Sequence, residues 1–437
     1  MRILVFGAGA IGSLLGHRLS HAGHEVTLVG RPAYVRAVQA HGLLLEEPSP
    51  ARRGRAVDPS LERSLALHGR AVHPSQQRDP ALHGRAVYPS QQRDPALHGR
   101  AVYPSQQRDP ALHGRAVHPG QQRDPALHGR AVYPSQERSL ALYGRTVYPK
   151  AVERIADIPA RQRTWDLILL TVKAYDTQEA AHALAPYVSP DAPLLIVQNG
   201  VGGEELVLQV LNQATIISGV ITLVVSVLAP GHVRLDTARG GLSLAPTREN
   251  QRVDSWAELF AGAGLKTATC RDYRAQKWSK LLLNILANAI PAILDMPPGA
   301  IFAEPSLFDI ERAAFREALA VMSALWLKPV SLPGYPVPLL AWAMRTLPAP
   351  LLRALLGRLV ASGRGEKKPS LQIDLARGRE RSEVLYLNGA VVTYAGRVGL
   401  DAPVNKVLLS TLLSIATGRL AWDEFEGQPQ KLVALIH

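Results

Sequence analysis

MRILVFGAGAIGSLLGHRLSHAGHEVTLVGR, residues 1–31, decides the fold. Met1 to Phe6 is a short apolar run, Gly7, Gly9 and Gly12 form G-x-G-x-x-G, Ile11 to Leu19 continues with helical spacing, and Glu25 to Val29 forms a second strand. Strand, tight turn, helix and strand in this order make a dinucleotide-binding unit. The glycines differ in what they do. Gly7 makes the turn, Gly9 lets a pyrophosphate approach the backbone, and Gly12 lets the helix pack close to the strand. The helix N-terminus offers free N–H groups and a positive dipole end to phosphates. The loop Gly7, Ala8, Gly9, Ala10, Ile11 and Gly12 is therefore expected to hold a cofactor. The second strand ends in Val29-Gly30-Arg31, without the carboxylate that would bind the ribose 2′-hydroxyl of NAD. An Arg at that place accommodates a 2′-phosphate, so Arg31 points to NADPH.

The 437 residues, 47% of them hydrophobic, give room for two or three domains with real cores. An excess of 49 Lys and Arg over 36 Asp and Glu suggests nucleic acid until the charge is located. Residues 51–150 hold 16 basic against 7 acidic residues, so 9 of the 13 excess charges lie in one unusual segment. The remainder is mildly basic, which suits an enzyme of anionic ligands and gives no reason to expect a nucleic-acid partner. A single cysteine, Cys270, excludes an intramolecular disulfide and a cysteine-rich metal site, and no metal is expected. The chain opens directly on strand residues, so no signal peptide is expected. The apolar stretch from Val330 to Val360 is interrupted by Arg345, Arg353 and Arg358 and by several prolines, which argues against a membrane span. A cytoplasmic protein without a membrane partner is expected; a homodimer stays open.

After Arg31 a helix is expected from Pro32 to about His41, then a short strand at Gly42 to Leu45. From about residue 50 to 143 a unit close to A-L-H-G-R-A-V-Y-P-S-Q-Q-R-D-P recurs every 15 residues, its Gly-Arg-[Ala/Thr]-Val core falling at Gly54, Gly69, Gly84, Gly99, Gly114, Gly129 and Gly144. Each copy carries too few apolar residues to bury a core, and disorder or an irregular loop is the economical reading. The histidines lack paired ligand spacing within a copy, which argues against metal binding. The last copy runs without a break into the following strand, so it reads as the original strand-forming segment, with about six copies inserted ahead of it at a surface connection. Such an insertion costs little closure entropy.

Asp166 to Val172 reads as a strand buried on both faces, ending in Lys173-Ala-Tyr-Asp-Thr, and Leu194 to Val197 as another, ending in Gln198-Asn199-Gly200-Val201-Gly202. Both polar clusters fall at carboxyl ends of strands, where ligands bind in open parallel sheets. Beyond Cys270 glycine thins out and helical periodicity takes over. The first helix is expected to run from about Tyr273 to Ile293, which would put Lys280, Asn284 and Asn288 on one face at i, i+4 and i+8. Polar groups on an otherwise apolar helix need partners or a cavity. A nicotinamide hydride needs an electrophilic carbon and a proton for the oxygen left behind. A buried Lys can supply that proton while amides and a carboxylate such as Glu383 orient the substrate. The expected architecture is an α/β Rossmann-type dinucleotide-binding domain, residues 1–270, followed by an all-α substrate and catalytic domain, residues 271–437.

These pieces together resemble the ketopantoate reductases (2-dehydropantoate 2-reductases). The resemblance rests on GAGAIG at Gly7 to Gly12, TVKAYDT at Thr171 to Thr177, QNGVG at Gln198 to Gly202, KWSKLLLN at Lys277 to Asn284 and PSLQIDLARGRERSEVLYLNG at Pro369 to Gly389, which cover the chain except for the repeat. It implies that Lys280 is the proton donor, that Lys173 and Asn199 meet the cofactor near its reactive end, and that Asn284, Asn288 and Ser370 bind the substrate, with Glu383 the acidic residue beside them. The implied reaction is NADPH-dependent reduction of 2-dehydropantoate to (R)-pantoate, a step toward pantothenate and coenzyme A. Departures fall on the substrate side: the segment between Asp374 and Glu383 is one residue longer than the usual pattern, Ala289 follows Asn288, Pro298 falls where some members have a further substrate-binding asparagine, and the apolar stretch from Val330 to Val360 is one that short members lack. Two other readings stand beside this one: a reductase of another 2-oxo acid on the same scaffold, and a non-catalytic NADPH-binding sensor or interaction protein.

Overall fold

The computed structural model describes residues 1–48, 142–189, 192–237, 239–364 and 368–436. Met1–Glu46 and Gly144–His437 form one compact unit. The repeat copies ahead of residue 142 lie outside the described residues, and with them the expectation of disorder.

The strands of the described residues are β1 (Arg2–Phe6), β2 (Glu25–Val29), β3 (Leu43–Pro48), β4 (Leu142–Val147), β5 (Lys150–Val152), β6 (Leu167–Leu170), β7 (Leu194–Ile196), β8 (Ile216–Ile221), β9 (Val225–Ala229), β10 (His232–Leu235), β11 (Leu242–Pro246) and β12 (Thr267–Thr269). Eight of them form a sheet in the order β12-β11-β8-β7-β6-β1-β2-β5, parallel except between β8 and β11. The central strands are short, continuous and apolar because both faces are covered. Ile3, Val5, Leu167 and Leu169 enter one core, while Leu4, Ile168, Leu170 and Ile196 enter the core on the other side. Each such side chain taken fully out of water contributes about 1.5–3 kcal/mol.

Helix α1 (Ala10–His21) and α2 (Pro32–His41) cover one face, and α3 (Thr177–Leu184), α4 (Gly203–Val210) and α5 (Asp254–Gly262) complete the α/β half. Strands β3, β4, β9 and β10 make a second, four-stranded sheet in the order β4-β3-β10-β9. The last repeat copy thus does supply a strand, β4, and the residues directly after it supply β5 at the edge beside β2. His17 of α1 ties β4 down: its Nε2 donates to the Arg145 carbonyl at 2.9 Å, and burial pulls its pKa to about 4.

From Tyr273 the described chain is helical: α6 (Tyr273–Ile285), α7 (Ala289–Leu294), α8 (Pro298–Ala303), α9 (Pro305–Ala324), α10 (Val337–Thr346), α11 (Ala349–Arg364), α12 (Ser370–Ala376), α13 (Asn388–Arg397), α14 (Pro403–Ala416) and α15 (Pro429–Ile436). Helix α6 starts where the Asp272 carboxylate accepts from the Arg274 and Ala275 amides, an N-cap that satisfies two otherwise orphaned donors. It is buried nearly all round, touching β8 and β11 on one side and α9 on the other. The continuous helix predicted to Ile293 is in fact broken at Leu286–Asn288. There Ala287 turns left-handed at φ 51 and donates its amide to the buried Glu311 carboxylate at 2.9 Å. A left-handed alanine costs roughly 1–2 kcal/mol, and a hydrogen bond to a buried charge, worth roughly 1.5–3 kcal/mol, offsets it. The 330–360 stretch is two helices, α10 and α11, separated at Leu347-Pro348. Among the described residues no helix is long and apolar enough to cross a membrane.

Candidate active site

The registers Phe6↔Leu170 and Leu170↔Ile196 bring the carboxyl ends of β1, β6 and β7 level. The three loops that leave them, Gly7–Gly9, Thr171–Asp176 and Gln198–Gly202, therefore stand side by side. Strand order reverses direction at β1, flanked by β2 and β6, which makes the crevice above these ends the ligand position of such a sheet.

The glycine loop divides into packed and open positions. A Cβ on Gly7, whose φ is +111°, would lie 2.6 Å from the Val172 nitrogen, and one on Gly12 would lie 2.2 Å from the Gly7 oxygen. The Thr171 hydroxyl donates to that same oxygen at 2.7 Å, locking loop to strand. A Cβ on Gly9 would meet nothing within 4 Å. Gly9 is exposed at the N-cap of α1, whose first turn carries no acidic residue, and its first amides have no intrahelical acceptor. These residues fit a pyrophosphate. Gly30 sits against the loop, since its Cβ would lie 3.0 Å from that of Ala8. Arg31, exposed at the N-cap of α2, follows directly at the end of β2.

On the other side of the crevice, Lys173 donates to Glu383 at 2.6 Å and to Asp374 at 3.1 Å. Both carboxylates are nearly buried, with side chains 4% and 8% exposed, against 35% for Lys173. Burial alone would lower the Lys173 pKa, and the Glu383 and Asp374 charges more than reverse this, so it stands above its ordinary value. Arg379 gives Asp374 a second cation at 3.2 Å, and Arg381 donates to Asp176 and to the Tyr175 carbonyl while lying over the Tyr175 ring. The loop after β6 is thus clasped to residues 374–383. Glu383 opens a short 3-10 turn, Glu383–Tyr386.

The amides form a chain of contacts. Asn284 on α6 donates to the Asn199 side chain at 3.2 Å, and Lys280 precedes Asn284 by one helical turn, half-buried. Because the helix breaks, Asn288 reaches this region otherwise than by the i+8 stripe. It donates to the Asn284 carbonyl at 2.9 Å and accepts from the Leu371 amide at 3.3 Å, next to Ser370, the exposed first residue of α12. Asp374, Arg379 and Arg381 carry no mark in the sequence beyond their place in the 369–389 motif. Only the fold shows that they close on Lys173 and Asp176. No group of His, Cys, Asp and Glu suited to hold a metal occurs among the described residues.

Residues 3–67 and 129–249 match the family model for ketopantoate reductase PanE/ApbA, and residues 272–416 match the model of its C-terminal part. The chain belongs to the ketopantoate reductase family. The match passes over residues 68–128, within the tandem repeat. As a family member it is an oxidoreductase of the dinucleotide-dependent kind. Among its relatives, the 2-dehydropantoate 2-reductase of Archaeoglobus fulgidus is 29% identical over 256 residues, 58% of this chain and 77% of the relative. That of Pyrococcus horikoshii is 30% identical over 245 residues, 56% of this chain and 73% of the relative. Among solved structures, a PanE/ApbA family ketopantoate reductase from Ralstonia eutropha JMP134 aligns with a TM-score of 0.63 at 24% identity over 96% of this chain and 99% of that one. D-mandelate dehydrogenase bound to NADH and anilino(oxo)acetate aligns with a TM-score of 0.63 at 16% identity, again over 96% and 99%. At these identities the two structures speak for the fold alone.

Proposed function

We propose that this ketopantoate reductase homologue reduces 2-dehydropantoate to (R)-pantoate with NADPH, serving pantothenate and coenzyme A biosynthesis. Residues 1–270 form the cofactor half, interrupted at about 50–143 by the repeat, and residues 271–437 form the catalytic half. The observation that carries this reading is the meeting of the open Gly9 loop, the Lys173–Glu383 pair and the Asn199–Asn284 pair at the carboxyl ends of β1, β6 and β7.

In this reading Gly7, Ala8, Gly9, Ala10, Ile11 and Gly12 cradle the pyrophosphate, and Arg31, without a competing carboxylate after β2, selects the 2′-phosphate. Bound there, the nicotinamide supplies the hydride. Lys173 and Asn199 border its reactive end. Asn284 and Asn288 present amides to the 2-oxo acid, and Ser370 at the start of α12 offers its hydroxyl to the carboxylate. Lys280 delivers a proton to the oxygen as the carbonyl carbon is reduced, and Glu383 holds Lys173 in place. The Lys280 proton matters only as negative charge develops on the oxygen, so its contribution belongs to the transition state.

A quantitative test is product analysis. Equimolar NADPH and 2-dehydropantoate are expected to give equimolar pantoate of R configuration, with NADPH favoured over NADH. The departures on the substrate side, Pro298 at the start of α8 and the apolar 330–360 stretch that carries α10 and α11, favour one second reading, a bulkier 2-oxo acid on the same scaffold. Turnover of such an acid in a panel, with none of 2-dehydropantoate, would establish that alternative. Tight NADPH binding without turnover of any would favour a sensor.

A further inference from the structure

Lys277, which the proposed chemistry does not use, lies one helical turn before Lys280 on α6, and its side chain is only 3% exposed. An isolated ammonium at such a depth would be strongly penalised, so what it touches is informative. It donates to the Gln198 carbonyl at 3.0 Å and pairs with Glu204 at 3.1 Å, a carboxylate only 1% exposed in the first turn of α4. Glu204 also accepts from the Ser218 hydroxyl of β8 at 2.6 Å. One buried cation thereby joins α6, the end of β7, the start of α4 and β8.

The loop between these anchors is Gln198–Gly202. Its first residue is held three ways: the carbonyl by Lys277, the side-chain oxygen by Thr177 at 3.0 Å, and the side-chain amide by the Val172 carbonyl at 3.0 Å. Its far side is held where the Val201 amide donates to the Tyr386 carbonyl at 3.3 Å. Gly200, at φ +88°, lies so close to Tyr386 that a Cβ would be 2.7 Å from its carbonyl oxygen. Between the two anchors stands Asn199, whose side chain meets Asn284.

We propose that the buried Lys277–Glu204 pair is a positioning device for Asn199: Lys277 acts on the hydride step through the Gln198 carbonyl, touching neither substrate nor cofactor. The proposal rests on the reductase reading for its kinetic half and on geometry alone for its structural half. Retaining two opposite charges in the core is costly where apolar residues would pack as well, and a fixed backbone carbonyl beside the reacting groups is what the pair secures. Lys277 is a positioning residue, and its removal should change rate more than affinity.

The variants are Lys277→Met combined with Glu204→Gln, which strands no buried charge, and Lys277→Arg, which keeps a cationic donor. Hydrogen exchange in the full-length protein reads the loop without reference to activity. Exchange of the 198–202 amides should accelerate in the double variant while β1 and β6 stay protected. With 2-dehydropantoate and NADPH, kcat should fall by about 10- to 100-fold, as for a displacement near 1 Å, with KM within about 3-fold. The isotope effect on kcat from NADPH deuterated at the transferred position should rise, and Lys277→Arg should recover part of the loss. A double variant with lower Tm but unchanged loop exchange, kcat and isotope effect would overturn the proposal and leave the pair a packing feature. Wild-type protein that reduces no 2-oxo acid would remove the reductase reading, and the exchange result would still decide whether Lys277 holds the loop.

Discussion

Replacing Lys173 by Met removes the cation that Glu383 holds at 2.6 Å and Asp374 at 3.1 Å. The two carboxylates are not left in the same position. Asp374 keeps Arg379 at 3.2 Å, whereas Glu383, with a side chain 4% exposed, loses the cation beside it. Removing one partner of a fully buried pair costs about 3–5 kcal/mol. Lys173 is 35% exposed, so water screens part of the interaction, and the expected loss is nearer about 2 kcal/mol. Thermal unfolding of the variant at pH 8 should show a Tm lower by roughly 2–6 °C. The deficit should shrink as pH falls from 8 to 5, because a stranded carboxylate escapes its penalty by taking up a proton. Lys173→Met combined with Glu383→Gln should recover at least half of the loss. In the wild type the raised Lys173 pKa works in the opposite window: its stabilisation is complete below the ordinary value of 10.5 and disappears as pH climbs through the higher folded value. Equal losses in the single and double variants, unchanged between pH 5 and 8, would refute this account of the clasp.

The glycine loop makes a paired prediction. Gly12→Ala should cost about 2 kcal/mol or more from overpacking against Gly7 and Thr171, seen as a fall in Tm. Gly9→Ala should keep the wild-type Tm, because its Cβ meets nothing within 4 Å, while NADPH affinity measured by fluorescence titration drops at least about tenfold through lost pyrophosphate approach. Arg31→Ala should weaken NADPH by about 10- to 100-fold through loss of a charge-assisted contact and leave NADH nearly unchanged; equal losses for both would remove the basis of the cofactor choice.

Much of the fold is legible in residues 1–31, because the strand, turn and helix there are set by local pattern and by Gly7 and Gly12, where a Cβ would collide with neighbouring backbone. The buried strands around Leu167–Leu170 and Leu194–Ile196 are legible for a related reason, as both faces are covered and no polar residue interrupts them. The break at Ala287 is not. It depends on the Glu311 carboxylate of α9, 24 positions away, and helical periodicity from Tyr273 to Ile293 gives no sign of it. Asp374 and Arg381 are equally silent, since their partners Lys173 and Asp176 lie some 200 residues earlier and meet them only when the two halves fold together. Lys277 reads as one letter of the KWSKLLLN motif. Its burial follows from α6 being wedged between sheet and helices, which one amphipathic pattern cannot reveal.

Whether Lys280 is the proton donor of an NADPH-dependent 2-dehydropantoate reductase is tested most directly by following NADPH oxidation with that substrate in wild type and Lys280→Ala. The expected result is turnover by the wild type and, in the variant, a kcat lower by at least about 100-fold with NADPH affinity within a few-fold, since general-acid help is worth about 10²–10⁴. Near-normal turnover by the variant would contradict the assignment.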